Sequence, residues 1–497
     1  MTHTVTSDNA HASQTQKVAV IGAGVAGSTI ALRLGELGID TTLIERGPSL
    51  VNGPPFCHLH AGGNLYREIS DQQCLTLLQQ SIDTAKIYPQ SINVRPTVVA
   101  VPKTDPAEPL ELLPRLQTLQ AQYQTLIEQD PSNQVLGKPE DYYRLYERAD
   151  IEAIGQRPLP DKIVDDEDWL VAFAQQTNLD TLKFPLVVVQ EYGLSAFRWA
   201  AAASIAIERL DSCHVQTHTS VVDIRPSTQG QGWQIVTQPT QSGASNSADL
   251  TTTEYDYVVN ACGFKSGELD DMIDAKRQRM VEFKASFVTH WPECNGLWPE
   301  VIIHGTRGTP QGMAQLTPYP DGYFQLHGMT QAITLFKDGL VTSCEQSAQP
   351  KLAPHFLQKI NGQWSEQSVT ERTESNIQHV AQYIPTFASA KTAAKPLFGA
   401  QQIPGEDPDL RAADVSFDRH GYARAEIVKA SSALATADAI LKDLLDTGVI
   451  DSEFAKQHLH DHYFPVTLQC QQDDLTQAAE QLARERHYPE ALARNFG

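Results

Sequence analysis

Apolar positions in this chain fall into two rhythms. Short runs of apolar and β-branched residues at 18–21, 41–44, 186–189 and 257–259 are bounded by turn residues, which predicts strands buried on both faces, as in a parallel sheet. Between them the apolar residues recur at helical spacing over 70–87, 112–128, 139–154, 165–176, 196–210, 368–383 and 431–445, which predicts amphipathic helices, the first capped by Ser70 or Asp71. From 278 to 340, alternating strands punctuated by Gly and Pro predict an antiparallel sheet. Residues 395–426 read as loop and strand, and the Gln-rich stretch 451–497 as a polar helical appendage on the surface. The acidic run Glu268, Asp270, Asp271 and Asp274 reads as a solvated helix face.

The first strand ends in a glycine turn, Gly22-Ala23-Gly24-Val25-Ala26-Gly27, and a helix follows. Gly22 permits the tight turn, Gly24 lets a pyrophosphate approach the backbone, and Gly27 lets helix pack on strand. The N–H groups of Gly24, Val25 and Ala26 then point at the phosphates with the positive end of the helix dipole behind them. Glu45 ends the second strand roughly 20 residues on, where a carboxylate accepts hydrogen bonds from a ribose diol. Strand, turn, helix, strand and acid together predict a dinucleotide site with an unphosphorylated ribose.

At 497 residues the chain exceeds one ordinary hydrophobic core, so two interlocked domains are expected. The formal charge of −22 repels phosphate backbones and anionic membranes, which argues against nucleic acid as a partner. That field steers small amines inward; an anionic substrate needs a local patch of Arg, Lys or His. Seven cysteines without a C-x-x-C pair suggest neither a disulfide framework nor a zinc ribbon, and reduced thiols in a cytoplasm are the simplest reading. Residues 1–16 are polar and read as a disordered leader without signal or transit character. The longest strongly apolar run, 199–207, is far too short to span a bilayer, so no integral membrane segment is expected, only a peripheral contact such as one with a quinone.

Three separated blocks resemble the FAD-dependent oxidoreductases of the D-amino-acid oxidase superfamily, which includes glycine, sarcosine and 2-hydroxyglutarate oxidases and is related to malate:quinone oxidoreductases. They are 22–46 with the loop to Asn64; Gly193-Leu194-Ser195 with its helix and the strand through Val221 and Val222; and Val258-Val259-Asn260-Ala261-Cys262-Gly263. Residues 318–328 are similar to the family's P-x-x-D-G-x-x-x-x-G hairpin. The resemblance implies an α/β fold: a discontinuous, Rossmann-like FAD-binding domain of the GR2 type (17–70, 181–275 and 395–450) and an antiparallel-sheet substrate domain (276–394). A mostly helical insertion (71–180) and a C-terminal helical tail (451–497), read from the residues, lie outside it.

For the cofactor, FAD, the resemblance implies contacts from Arg46, His60, Ala61, Gly62 and Gly63 after the second strand, from Val221 and Val222 at the adenine, and from Ala261, Cys262 and Gly263. The family's final Gly-rich turn is replaced here by Lys429-Ala430-Ser431-Ser432, so at the pyrimidine edge of the flavin either the backbone stands further off or these polar side chains take over the contacts. Lys429 and a helix starting at Ser431 would stabilise negative charge there. His58 and His60 lie in the loop that passes the flavin ring and, with Cys57, are candidates for cofactor contact, base chemistry or covalent attachment. No third ligand of matching spacing accompanies them, so no metal is expected. Arg307 is the candidate carboxylate clamp, and His327 a candidate base or orienting group. The expected activity is hydride transfer to flavin from a small amine, amino acid or 2-hydroxy acid. The rivals are a flavin monooxygenase using NAD(P)H and a non-catalytic nucleotide-binding protein on the same fold, as in the Rab escort proteins.

Overall fold

The computed structural model describes residues 16–53, 55–61, 69–228, 230–240 and 250–496. Residues 1–15 of the expected leader, and the expected flavin contacts Gly62 and Gly63, lie outside them.

The four apolar runs do not share one sheet. Lys17–Ile21 pairs in parallel with Asp40–Ile44 on one side and Tyr257–Asn260 on the other. Cys213–Gln216, Tyr422–Ala425 and the antiparallel edge Val415–Phe417 complete six strands. Because side chains alternate across a strand, Val18 and Val20 point to one layer and Ala19 and Ile21 to the other. The first layer holds the helices Val25–Glu36, Ala196–Glu208, Ala433–Asp446 and Gln472–Glu485. The second is a three-stranded antiparallel sheet, Thr219–Pro226, Trp233–Pro239 and Thr251–Tyr255, whose Ile224, Trp233 and Ile235 cover Ala19, Ile21 and Val258.

Leu186–Val189 belongs instead to a ten-stranded mixed sheet, together with Thr97–Ala100 and Tyr143–Tyr146 from the expected helical insertion and Leu397–Pro404 from the expected cofactor domain. A short buried strand carries no mark of which sheet it joins, so periodicity cannot assign it. The segment 139–154 is correspondingly not one helix: Tyr143–Tyr146 is a strand, and the helix is Arg148–Ile154.

One face of this sheet is dry. Val98, Ala100, Val301, Ile303, Leu316, Phe324 and Leu326 pack under the helix Glu366–Ala381 through Ile377 and Val380. Residues of the opposite parity, Glu300, Gln315, Thr317, Gln325 and His327, are polar and cross-strand neighbours: Ile302 opposes Gln315, Gln315 opposes His327, and Thr317 opposes Gln325. Glu282, Lys284 and Ser286 on Arg279–His290 continue that face, which looks toward the nucleotide-binding layer. The expected hairpin joins Ala314–Pro318 to Tyr323–Gly328, with Asp321 (φ 61°) and Gly322 (φ 72°) making the tight turn.

One surface expectation is overturned, and a second fails at a single residue, since Glu268, Asp271 and Asp274 are exposed as expected and Asp270 is not. The tail is built into the core: Phe464, Cys470, Leu475, Ala479, Ala483 and Leu492 are buried in the main cluster. Buried Glu36 accepts from the Thr467 N–H at 2.8 Å and the Val466 N–H at 3.1 Å, and Arg33 donates to the carbonyls of His458 and Asp461. Asp270, far from solvated, is fully buried and pairs with Arg279 and Arg424, with the Tyr422 hydroxyl donating to it at 3.0 Å.

Candidate active site

The glycine turn has the shape a pyrophosphate needs. A Cβ on Gly27 would stand 1.8 Å from the Gly22 carbonyl oxygen, and one on Gly22, at φ +96°, 2.6 Å from the Ala261 carbonyl oxygen. At Gly24, which caps the helix, a Cβ would meet nothing within 4 Å. The backbone is therefore closed where strand and helix touch and open where a phosphate would lie. Glu45 sits beside it, accepting from the Ala23 N–H at 2.8 Å and the Gly47 N–H at 2.7 Å. Each carboxylate oxygen keeps acceptor capacity for a ribose hydroxyl.

The other expected cofactor contacts converge on the same edge. Ala261 N–H donates to the Ile21 carbonyl at 2.8 Å, the Cys262 thiol donates to the same oxygen at 3.3 Å, and Gly263 turns at φ +57°. Burial raises the Cys262 thiol pKa, with Glu45 adding to it, so this sulfur packs as a neutral group. A bulge in Thr219–Pro226 leaves Val222 with no cross-strand partner in the register, between Val221 opposite Thr237 and Asp223 opposite Val236. Its backbone is thus available to an adenine edge. Arg46 is exposed beside this end.

At the far end, Lys429 precedes a single 3-10 turn, Ala430–Ser432, and the helix begins at Ala433 rather than Ser431. Ser432 Oγ donates to Gln80 Oε1 at 2.7 Å. Ser431 Oγ is buried without a hydrogen-bond partner among the described residues. An orphaned hydroxyl at the position expected against the flavin fits a cofactor that would satisfy it.

Between these ends the loop 57–61 runs under the polar face of the large sheet. It is held antiparallel to 192–194 by Leu194 N–H to Cys57 O at 2.8 Å and Leu59 N–H to Tyr192 O at 3.0 Å, while Tyr142 OH donates to the Ala61 carbonyl. His60 takes a left-handed backbone (φ 60°), rare for a residue with a Cβ and concentrated at functional sites.

His58 Nδ1 lies 3.0 Å from Glu300 Oε1 and His58 Nε2 3.0 Å from His60 Nδ1. Arg95 Nη1 pairs with Glu300 Oε2 at 2.6 Å, and Gln315 and Thr317 also donate to Glu300. Gly193 makes room for Arg95, whose Nη2 would be 2.6 Å from a Cβ there. Burial alone would raise the Glu300 carboxyl, but Arg95 and His58 outweigh it and hold it at about 2. Burial alone would lower His58, yet Cys57 and Glu300 hold it well above its ordinary value. His60 is pushed well below, by burial and then by Lys429, His58 and Arg411.

Arg95, Glu191, Glu300 and Gln315 are not legible as site residues from the sequence alone; each is a single polar residue beside or within a buried strand. Local spacing likewise shows no third ligand beside the histidines, whereas in space Glu191 and Glu300 stand next to them: Cys57, His58 and Glu300, and His58, His60 and Glu191, each place candidate ligand atoms within 4.8 Å.

Lys284, Arg411 and Lys429 bear electrostatically on one another, and Lys284 and Lys429 bear on His327. Burial lowers Lys429 well below the ordinary lysine value, with Arg411 and Lys284 adding to it, and burial with Lys284 brings His327 down to about 3. Glu282 answers part of this charge: burial would raise it, but Lys284 (2.6 Å) and Arg307 (2.6 Å) hold it at about 2. Arg307 itself lies on an exposed turn, its side chain 42% exposed and its guanidinium engaged by Glu282.

A three-layer nucleotide-binding fold with its glycine turn, facing the polar side of a large mixed sheet, defines a flavin-dependent oxidoreductase. The chain belongs to the FAD dependent oxidoreductase (DAO) family, whose profile it matches over residues 17–414. No curated protein matches it in sequence. Among solved structures it is similar to glycine oxidase from Geobacillus kaustophilus, with a TM-score of 0.54, 14% identity, and coverage of 88% of this chain and 97% of that one. L-proline dehydrogenase from P. horikoshii gives 0.53 at 13% identity over 96% and 99% of the two chains. Glycerol-3-phosphate dehydrogenase from Bacillus halodurans, complexed with FAD, gives 0.51 at 12% identity over 97% and 82%. FAD is the cofactor of this family, and the open backbone at Gly24 leaves room for its pyrophosphate. Among the described residues no helix is long and apolar enough to cross a membrane.

Proposed function

We propose that the protein oxidises a small amino acid, binding its carboxylate among Lys284, Arg411 and Lys429 and presenting the carbon beside the nitrogen to the flavin. FAD, when bound, supplies the hydride acceptor. The observation that carries the reading is the gathering of Lys284, Arg411 and Lys429 beside His327, where burial first and the neighbouring cations second lower Lys429 and bring His327 down to about 3. A bare amine would add to that charge; a carboxylate relieves it. This is the local patch that the chain's overall charge of −22 makes necessary for an anionic substrate. Arg307 is not needed as the clamp: it lies on the exposed turn, with its Nη2 donating to Glu282. Glycine oxidase and L-proline dehydrogenase, two of the proteins sharing the fold, carry amino-acid substrates in their names. Free thiols at all seven cysteines fit a reducing, cytoplasmic setting.

The test is anaerobic bleaching of the bound flavin by matched pairs: glycine against methylamine, L-proline against pyrrolidine, and L-alanine against L-lactate. At least one amino acid is expected to bleach the visible band faster than its decarboxylated partner, by about tenfold or more for each charge-assisted hydrogen bond that only the carboxylate can make. Bleaching by methylamine or pyrrolidine with none by the amino acids overturns the reading; bleaching by lactate alone moves the substrate to hydroxy acids.

A further inference from the structure

We propose that His60, His58 and Glu300 form a proton relay in which His60 takes the proton the substrate nitrogen must lose and His58, held by Glu300, stores it. The source of the proton rests on the amino-acid reading above; the relay itself rests on the geometry of the buried chain.

An amino acid arrives as an ammonium ion, whose nitrogen has no electron pair to form a C=N bond. One N–H proton must leave first, its electron pair staying on nitrogen to become the C=N bond of an iminium; bound FAD would supply the acceptor for the hydride that the carbon gives up. That proton needs an acceptor on the protein. Ionised Glu300 only accepts hydrogen bonds, and its Oε1 is 3.0 Å from His58 Nδ1. In the neutral pair, therefore, His58 carries its proton on Nδ1 and accepts at Nε2 from the His60 Nδ1–H, 3.0 Å away. This fixes His60 Nε2 as the basic atom. When Nε2 takes the substrate proton, the Nδ1 proton passes to His58, and an imidazolium forms against Glu300.

Exposure orders the chain. The His60 side chain is 15% exposed, His58 5%, and Glu300 and Arg95 are fully buried, so His60 is the member that meets substrate. Charge orders it the same way. Cys57 and Gln315 face His58 Nδ1; Glu191 lies 3.8 Å from His58 Nε2 and 3.9 Å from His60 Nδ1; Lys429 and Arg411 bear on His60. Tyr319, close to Cys57, Arg95 and Glu300, is kept neutral by burial. Cys57 and Glu300 favour charge on His58, Lys429 and Arg411 disfavour it on His60, and Glu191 lies as near one ring as the other, so a proton given to the outer ring runs inward. Arg95 is the positioning residue that keeps Glu300 ionised and in place.

The relay is competent when the pair lacks its extra proton. The rate of flavin reduction should therefore rise with pH through the raised His58 midpoint, above the ordinary histidine value. Holoenzyme with isotope-labelled histidine, titrated by NMR, is expected to show one histidine above 6.5 that disappears in His58→Gln and falls by about one pH unit or more in Glu300→Gln. Rapid anaerobic mixing with glycine and L-proline should place the acid limb of the reduction rate at the same midpoint and move it down in Glu300→Gln. His60→Gln should slow reduction about 100-fold while leaving the His58 titration near its wild-type position. It retains the Arg95–Glu300 pair and decides the question should Glu300→Gln not fold. The proposal is overturned by midpoints unmoved in Glu300→Gln, by wild-type reduction rates in His60→Gln, or by one equivalent of zinc or iron in the purified protein, which would make His58, His60 and Glu191 metal ligands instead. If neither amino acid bleaches the wild-type flavin, the amino-acid reading fails, and the histidine titration alone still decides the relay.

Discussion

Gly27→Ala is expected to yield protein that purifies without flavin colour and has no oxidoreductase activity. The added methyl would stand 1.8 Å from the Gly22 carbonyl oxygen and 3.2 Å from the Ala261 Cβ. Neither neighbour can yield, because both residues are fixed in the parallel sheet by their backbone: Gly22 N–H donates to Ile44 O and Ala261 N–H to Ile21 O, each at 2.8 Å. The helix Val25–Glu36 must move off the strand, which withdraws the N–H groups of the turn from the phosphates and opens the cluster around Val18, Val20 and Ile30. The same substitution at Gly24 meets open space in the free protein and should harm only cofactor binding, leaving the folded stability close to wild type. Visible spectra and thermal melts of the two variants separate these effects.

Ending the chain after Asp451 is expected to give insoluble or strongly destabilised protein, though the polar composition of the removed segment marks it as peripheral. Phe464, Leu475 and Leu492 are at most 2% exposed in the full chain, and burying a large apolar side chain is worth about 1.5–3 kcal/mol. Their removal would uncover the helices Val25–Glu36 and Ala196–Glu208. It would also strand buried Glu36, Arg33 and Arg198, the last of which donates to the Ala493 carbonyl at 3.3 Å. The milder Phe464→Ala should cost about 3–5 kcal/mol, readable in the denaturation midpoint. A truncated chain that is soluble, yellow and melts like the full one would contradict this placement.

The tail shows why some of the fold is legible and some is not. Leu475, Ala479 and Ala483 form an i, i+4, i+8 stripe, which is helical spacing, but it is made mostly of alanine in a Gln- and Asp-rich stretch, so its apolar signal is weak. A thin stripe suffices where a helix packs closely on an Ala-rich neighbour, here Ala200–Ala203 of the helix Ala196–Glu208. The nucleotide unit is legible because its constraints are local: turn, cap and acid lie within one βαβ stretch, and each residue type has a steric or hydrogen-bonding reason. The buried acid-base chain is the opposite case. Arg95, Glu191, Glu300 and Gln315 come from four segments, each beside or within a buried strand. A charged or amide residue at such a position must find a partner, and that is the signal these four carry. The sequence does not say that the partners are one another. His58 and His60 are visible as chemistry, and their distinct roles follow only from Glu300 on one side and Lys429 and Arg411 on the other.

The central claim is that FAD lies along the Gly22–Gly27 turn with its ribose on Glu45. Equilibrium titration of apoprotein with FAD and with FMN, for wild type and Glu45→Ala, tests it most directly. Hydrogen bonds to a charged group contribute about 1.5–3 kcal/mol, so Glu45→Ala should weaken FAD binding about 10- to 100-fold while leaving the much weaker FMN binding unchanged. Equal affinity for FAD and FMN in wild type, or FAD affinity untouched by Glu45→Ala, would contradict the account.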